Sequence, residues 1–167
     1  GQWLEHGFWP DHQIRFFRKG RLKWTEMIHD LPQVDGQTEY LPADPEVALD
    51  HPGYGDNLAC FIERHVRYAP LDARRLAATQ RPAAWPFLIR RPLGEFYGRY
   101  FRAGAWRYGM TGLVWSLLMA NYQLLICIHY WHDDRTISQL FLSPTRLRKK
   151  VRWEAFRSVV KWLRPWT

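Results

Sequence analysis

The sequence predicts an α+β chain, a few strands near the front followed by amphipathic and interfacial helices. Three observations lead there. Residues 13–29 show imperfect alternation of apolar and polar side chains broken by a glycine. The segments after residue 57 show helical spacing, with cap-forming residues at their starts. Charge divides along the chain: residues 1–80 carry 9 basic and 12 acidic residues, net −3, and residues 81–167 carry 15 basic and 4 acidic, net +11. The front part has an ordinary globular balance, and the back part suits an anionic surface. The division expected is therefore a front unit of residues 1–80 and a basic, aromatic, helical region of residues 81–167.

Taken in order, "QIRFFRK" and "LKWTEMIH" flank a Gly20-Arg21 turn and read as a two-stranded unit over residues 13–23 and beyond. "QVDGQ" is a second turn. The proline- and acid-rich "TEYLPADPEVALDHPGYGDN" is mostly loop, with a short strand possible at residues 46–50. Asp56 or Asn57 supplies a cap for a helix through "LACFIERHVRYA". Pro70 sits at a first helical position of a second helix, with Asp72 favouring its dipole. "RPAAWP" is a hinge, and a helical pattern interrupted by Pro92 follows. Residues 108–131 contain no Asp, Glu, Lys or Arg. That length matches the ~20 apolar residues that cross a bilayer, but the flanks on both sides are basic and give no orientation. A helix lying in the interface or buried in protein is the favoured reading, with a span as the alternative. Ser143 then caps and Pro144 opens a tail helix. Leu147, Val151, Ala155, Val159 and Leu163 recur along it every four residues, among Arg146, Arg148, Lys149, Lys150, Arg152, Arg157 and Lys161, with Trp153 and Trp162 alongside. This is the composition of a helix resting on an anionic membrane, and a solvated helix docked on its own domain is the plainer alternative.

With 167 residues, 47% of them hydrophobic, the chain is long enough for a real core and too apolar for disorder. Ten Trp and eight Tyr suit interfaces with membrane, sugar or partner. Cys60 and Cys127 lack metal-ligand spacing and read as free thiols in a reducing compartment. The first residue is Gly, with no basic-then-apolar leader behind it, so the chain reads as a piece of something longer. Complete nucleotide-binding and hydrolase motifs are absent from the sequence: the glycines of "LDHPGYGDN" lack a following Lys-Ser/Thr, and no GxGxxG, GxSxG or HExxH occurs.

Two groups of residues invite a site. Asp11, Gln13 and Arg15 would share one face of a strand. A carboxylate, an amide and a guanidinium together suit a sugar hydroxyl and a diphosphate. His29-Asp30 stands where the strand through Trp24 runs out; an imidazole there suits a divalent metal, and a carboxylate suits a hydroxyl. A polar strand face and a solvated surface pair are the ordinary uses of such residues. "HYWHDD", from His129 to Asp134, has two His at i, i+3 but no third well-placed ligand, and reads as polar residues at a helix end.

Read together, "WPDHQIRFFRKGRLKWTEMIHDLPQVDG", "LDHPGYGDNLACFIERHVRYAPLDARRL" and the aromatic run ending in "GMTGL" resemble the C-terminal half of family 2 glycosyltransferases, of the kind that build bacterial lipopolysaccharide cores and other envelope glycans. The likeness lies in the order D-x-Q-x-R, W-x-x-x-x-H-D, V-x-G, L-x-H-x-x-Y and R-Y-x-x-x-D-A, over residues 9–131. It implies the acceptor side of a GT-A fold and inverting transfer from a nucleotide-sugar to a glycan or glycolipid. It also implies a divalent metal, Mg or Mn, near His29. Asp11 or Asp30 would act as base, Asp11 favoured, and Gln13, Arg15 and Trp24 would bind substrate. Asp30 stands where the family more often has Glu. The family's donor-binding half, with its Asp-x-Asp motif, is not among these residues, so the chain alone is expected to be inactive. The expected setting is the cytoplasmic face of the bacterial inner membrane, with no nucleic-acid partner. The alternative is a non-catalytic peripheral membrane module.

Overall fold

A computed structural model describes residues 9–25, 31–49, 57–79, 85–133 and 143–163, without the side chains of Thr79, Trp162 and Leu163. These residues are mostly helical, with one small antiparallel ribbon, β1 (Leu22–Lys23) against β2 (Gln33–Val34). Four helices follow: α1 (Leu58–Thr79), α2 (Phe87–Tyr97), α3 (Gly109–Asp133) and α4 (Pro144–Leu163).

The ribbon differs from the expected pairing. Gly20 does turn the chain, at φ +83°, where a side chain would be strained. Yet "QIRFFRK" forms no strand, and β1 pairs instead with Gln33–Val34, Leu22 facing Val34. The reason is burial. Phe16 is 81% exposed and Phe17, Arg15 and Arg18 are exposed too, so that segment is left uncovered. Leu22 and Val34 are both half-buried and supply an apolar cross-strand pair. An exposed Arg21–Asp35 ion pair and the Asp35 N–H to Arg21 carbonyl bond, 2.9 Å, extend the pairing. The strand considered at residues 46–50 is a 3₁₀ turn at Pro45–Val47, where the Asp44 carboxylate accepts from the Glu46 N–H at 2.9 Å.

α1 begins as expected, with Asn57 Oδ1 accepting the Cys60 N–H at 3.0 Å. It does not restart at Pro70. One helix runs through that proline, even though the ring removes the N–H that would bond to the Val66 carbonyl. Packing explains the continuity: Phe61, Ala69, Ala73 and Leu76 are all buried, so burial extends to both sides of the proline. Ala69, Ala73 and Leu76 form the core with Tyr122, Ile126 and Tyr130 of α3, and Tyr68, Phe87, Met119 and Leu125 pack around them. Hydrophobic packing thus joins α1 to α3 across residue 80 of the chain. Asp72, rather than serving a helix start, accepts a hydrogen bond from the Tyr122 hydroxyl.

α3 lies between α1 and α2. Phe61 meets Trp115 edge-on, with ring centroids 4.5 Å apart, and His65 meets Tyr122 at 4.3 Å, so α1 and α3 advance in the same direction. The Arg91 Nε–H donates to Gln123 Oε1 at 2.6 Å, and Phe87 lies edge-on to Tyr130 at 6.2 Å, so α2 runs the opposite way. Pro92 interrupts α2 without ending it; the helix runs on into a π turn at Gly98–Arg102. A 3₁₀ turn at Ala105–Tyr108 then backs closely onto α3. A Cβ on Gly112 would stand 1.8 Å from the Ala105 carbonyl oxygen, so only glycine fits there.

α4 starts at Ser143 as expected, its carbonyl accepting the Leu147 N–H at 2.9 Å. It packs on α2, and its orientation corrects the reading of its apolar stripe. The buried residues are Glu154 and Ser158, each 5% exposed, and Glu154 is paired with Arg90 of α2. By helical spacing Leu147 and Val151 share that partly covered side. Among the apolar side chains turned outward are Trp153 and Phe156, each 59% exposed, with rings stacked at 6.0 Å, and Val159, 46% exposed.

Candidate functional site

The first candidate site grows from the extended segment before β1. The Gln13 amide donates to Asp11 Oδ1 at 3.1 Å, so the carboxylate and amide stand together, both exposed. Arg15 is also exposed. His12 lies edge-on to Tyr40 with ring centroids 5.0 Å apart, which ties this segment to the loop beyond β2. Trp24, just past β1, is 62% exposed. Asp11, Gln13, Arg15 and Trp24 are therefore all displayed to solvent. His29 and Asp30 fall between β1 and β2 in the chain and lie outside the described residues. Among the described residues no three His, Cys, Asp or Glu side chains gather as metal ligands. At the end of α3, His132 Nδ1 is 3.4 Å from Asp133, an exposed pair without a third ligand.

The second candidate is a pair of helix surfaces, one on α4 and one on α3, both helices packing on α2. Of the residues expected to bind membrane, Arg146, Arg148, Lys149, Lys150, Arg152, Trp153, Arg157 and Lys161 are exposed, and the Trp162 side chain lies outside the description. Their charge is not offset on the helix. Glu154, the only acid of α4, is turned inward, and the hydrogen bond from Arg90 holds its carboxyl below the ordinary range. The outer side of α4 is thus cationic around an aromatic pair. The sequence places Trp153 and Phe156 beside the i+4 stripe, and strict i+4 steps drift around a helix of 3.6 residues per turn.

α3 contributes the other part. Ala105–Asp133 is long and apolar enough to cross a membrane by length and composition. Its polar side chains on the packed side have partners: Ser116 donates to the Gly112 carbonyl at 2.7 Å, Gln123 accepts from Arg91, and Tyr122 donates to Asp72. Burial, then the Asp72 carboxylate, push the Tyr122 hydroxyl far above its ordinary range. Burial also pushes the Cys127 thiol up to about 11, against a smaller opposing effect of Arg91. These groups remain protonated and neutral at physiological pH. They act as packing and anchoring groups for α1 and α2, not as acids or nucleophiles.

Comparison with protein-family models, curated proteins and solved structures finds no match for this chain.

Proposed function

We propose that this chain is the acceptor-side, membrane-associated portion of an inverting family 2-type glycosyltransferase, which moves a sugar from a nucleotide-sugar donor to an envelope glycan or glycolipid at the cytoplasmic face of a bacterial inner membrane. The observation that carries the reading is the order and spacing of D-x-Q-x-R, W-x-x-x-x-H-D, V-x-G, L-x-H-x-x-Y and R-Y-x-x-x-D-A ahead of an aromatic, glycine-containing helix. The pairing of Gln13 with Asp11 on an exposed segment supports it. In this reading Asp11 takes the proton of the acceptor hydroxyl, Gln13 orients that carboxylate, Arg15 meets donor phosphate and Trp24 offers a face to sugar. Asp30 is the other candidate base, and His29 belongs beside the diphosphate. The divalent metal that the resemblance implies has no ligand set among the described residues, so these roles are assigned to the chain's own groups.

The exposed cations of α4 support the membrane part of the reading. At ~1 kcal/mol per basic residue near an anionic surface, a few engaged at once would hold the protein there. A non-catalytic membrane module rests on the same helix and is the second reading.

The test is transfer of radiolabel from a panel of nucleotide-sugars into membrane acceptors by the product of the whole reading frame, with Mg or Mn supplied. Asp11→Asn or Asp30→Asn should lower the rate by ~10²-fold or more, as loss of a general base does, with membrane attachment unchanged. Transfer at the wild-type rate in both variants would remove the base assignment. Absence of transfer with every donor, from a folded and membrane-bound protein, would leave the module reading.

A further inference from the structure

Among the described residues, α3 is packed on one side only. Ser116, Ala120, Tyr122, Ile126, Cys127 and Tyr130 are buried where α1 and α2 lie. At 100° per residue, Met110, Val114, Leu117 and Ile128 fall on the opposite side, with Trp131 at its edge. All five are exposed, Met110 at 72%. The open side carries one polar residue in its middle, Asn121, and no charge. From Met110 to Trp131 it runs ~30 Å at 1.5 Å per residue, about the thickness of the hydrocarbon core.

Length alone would allow α3 to stand upright in a bilayer, and exposed Trp106 and Trp131 at its two ends fit either orientation. The neighbouring helix decides. α1 lies alongside α3, with Phe61 at Trp115 and both His65 and Asp72 at Tyr122. Glu63 and Arg67 fall within that stretch of α1 and Arg74 just past it, and all three are exposed. They are therefore level with the middle of α3. An upright α3 would carry them to the centre of the bilayer, the most costly depth for a charge. Laid flat, α3 puts its uncharged side into the acyl boundary and leaves α1 its water. Exposed Arg102 and Arg107, just before α3, complement an anionic headgroup layer.

We infer that α3 lies in the plane of an anionic bilayer, its Met110–Val114–Leu117–Ile128 side entering the acyl boundary, and that the chain does not cross the membrane through this helix. The inference rests on the membrane attachment proposed above and adds its geometry. Two measurements test it. For topology, the whole reading frame is expressed in bacteria with Cys60→Ser, Cys127→Ala and any other cysteine replaced by Ser, and a single reporter, Thr111→Cys or Asp133→Cys, at either end of α3. An impermeant maleimide should label both reporters in inside-out membrane vesicles and neither in spheroplasts. Labelling of one reporter from each side would establish a span and overturn the inference. For contact, Leu117→Asp and Ile128→Asp, both at exposed sites in the otherwise unaltered 167-residue chain, should each weaken flotation with phosphatidylglycerol-containing vesicles at least ~10-fold, circular dichroism remaining unchanged. Undiminished flotation of both would show that this side does not touch lipid. Failure of the wild-type chain to float on any anionic vesicle would instead overturn the attachment itself, and this inference with it.

Discussion

Arg90→Ala should undock α4 from α2. The Glu154 carboxylate is 7% exposed at its side chain and is held by Arg90, whose own side chain is 54% exposed. Removing one partner of a fully buried ion pair costs ~3–5 kcal/mol. Water screens the exposed half of this one, so ~1–2 kcal/mol is the expected loss. That raises the open population of α4 ~5–30-fold. The helix carries seven exposed Arg and Lys side chains, so limited trypsinolysis reports the opening directly, because cleavage follows the open population when reclosing is fast. Arg90→Ala should be cut within residues 146–161 ~5–30-fold faster than wild type. Adding Glu154→Gln should restore part of the protection, since the stranded charge is gone. Equal cleavage of Arg90→Ala and wild type would refute the view that this pair fixes α4. A pH dependence follows from the same contact. Because Arg90 holds the Glu154 carboxyl below its ordinary value of 4.5, the stabilisation is complete above that value and disappears as pH falls through the lower, folded one. Corrected for the intrinsic exchange rate at each pH, the protection of α4 amides should therefore fall on acidification from neutrality to below the ordinary glutamate range, and should fall less in Glu154→Gln.

Three further outcomes are expected. Tyr122→Phe removes one hydroxyl donor from the half-buried Asp72 and should cost ~0.5–1.5 kcal/mol in a denaturant melt, the net worth of one hydrogen bond; Asp72→Asn in the same background should return part of it. Gly112→Ala places a methyl 1.8 Å from the Ala105 carbonyl oxygen, a backbone collision that should cost at least ~1–3 kcal/mol, whereas Gly98→Ala, which meets nothing within 4 Å, should be close to neutral by the same melt. Cys127 is buried with its thiol raised to about 11, so in the folded protein maleimide at neutral pH should modify the half-buried Cys60 first and reach Cys127 only after denaturation.

Helix starts were legible in the sequence where the signal is local. Asn57 caps α1 and Ser143-Pro144 opens α4, because a side-chain oxygen within three residues of an N–H needs no other part of the chain. The uncharged stretch at residues 108–131 likewise marks α3, within two residues at its C-terminal end. The strand partner was not legible. "QIRFFRK" and "DLPQVDG" are both near enough to pair with β1, and the choice fell on the segment whose valine could cover Leu22. Pro70 misled for a related reason: proline reads as a helix start, yet the Ala69–Ala73–Leu76 surface against α3 keeps the helix whole. Among the site residues, Asp11 and Gln13 do stand together, as alternation along an extended segment requires. Trp24 and Arg15 are exposed, and His29 with Asp30 lies outside the described residues.

The amino-acid sequence by itself determined that the back half is helical, uncharged over one long stretch and strongly cationic at its end, since composition and short-range capping act within a few residues. Only the tertiary structure decided which side of each helix is used. α4 turns its single acid inward and its aromatic pair outward, and α3 is covered on one side by α1 and α2 and left open on the other. That choice belongs to the neighbours. An amphipathic pattern shows that a face exists, but which face is buried depends on the shapes and charges that other segments bring against it.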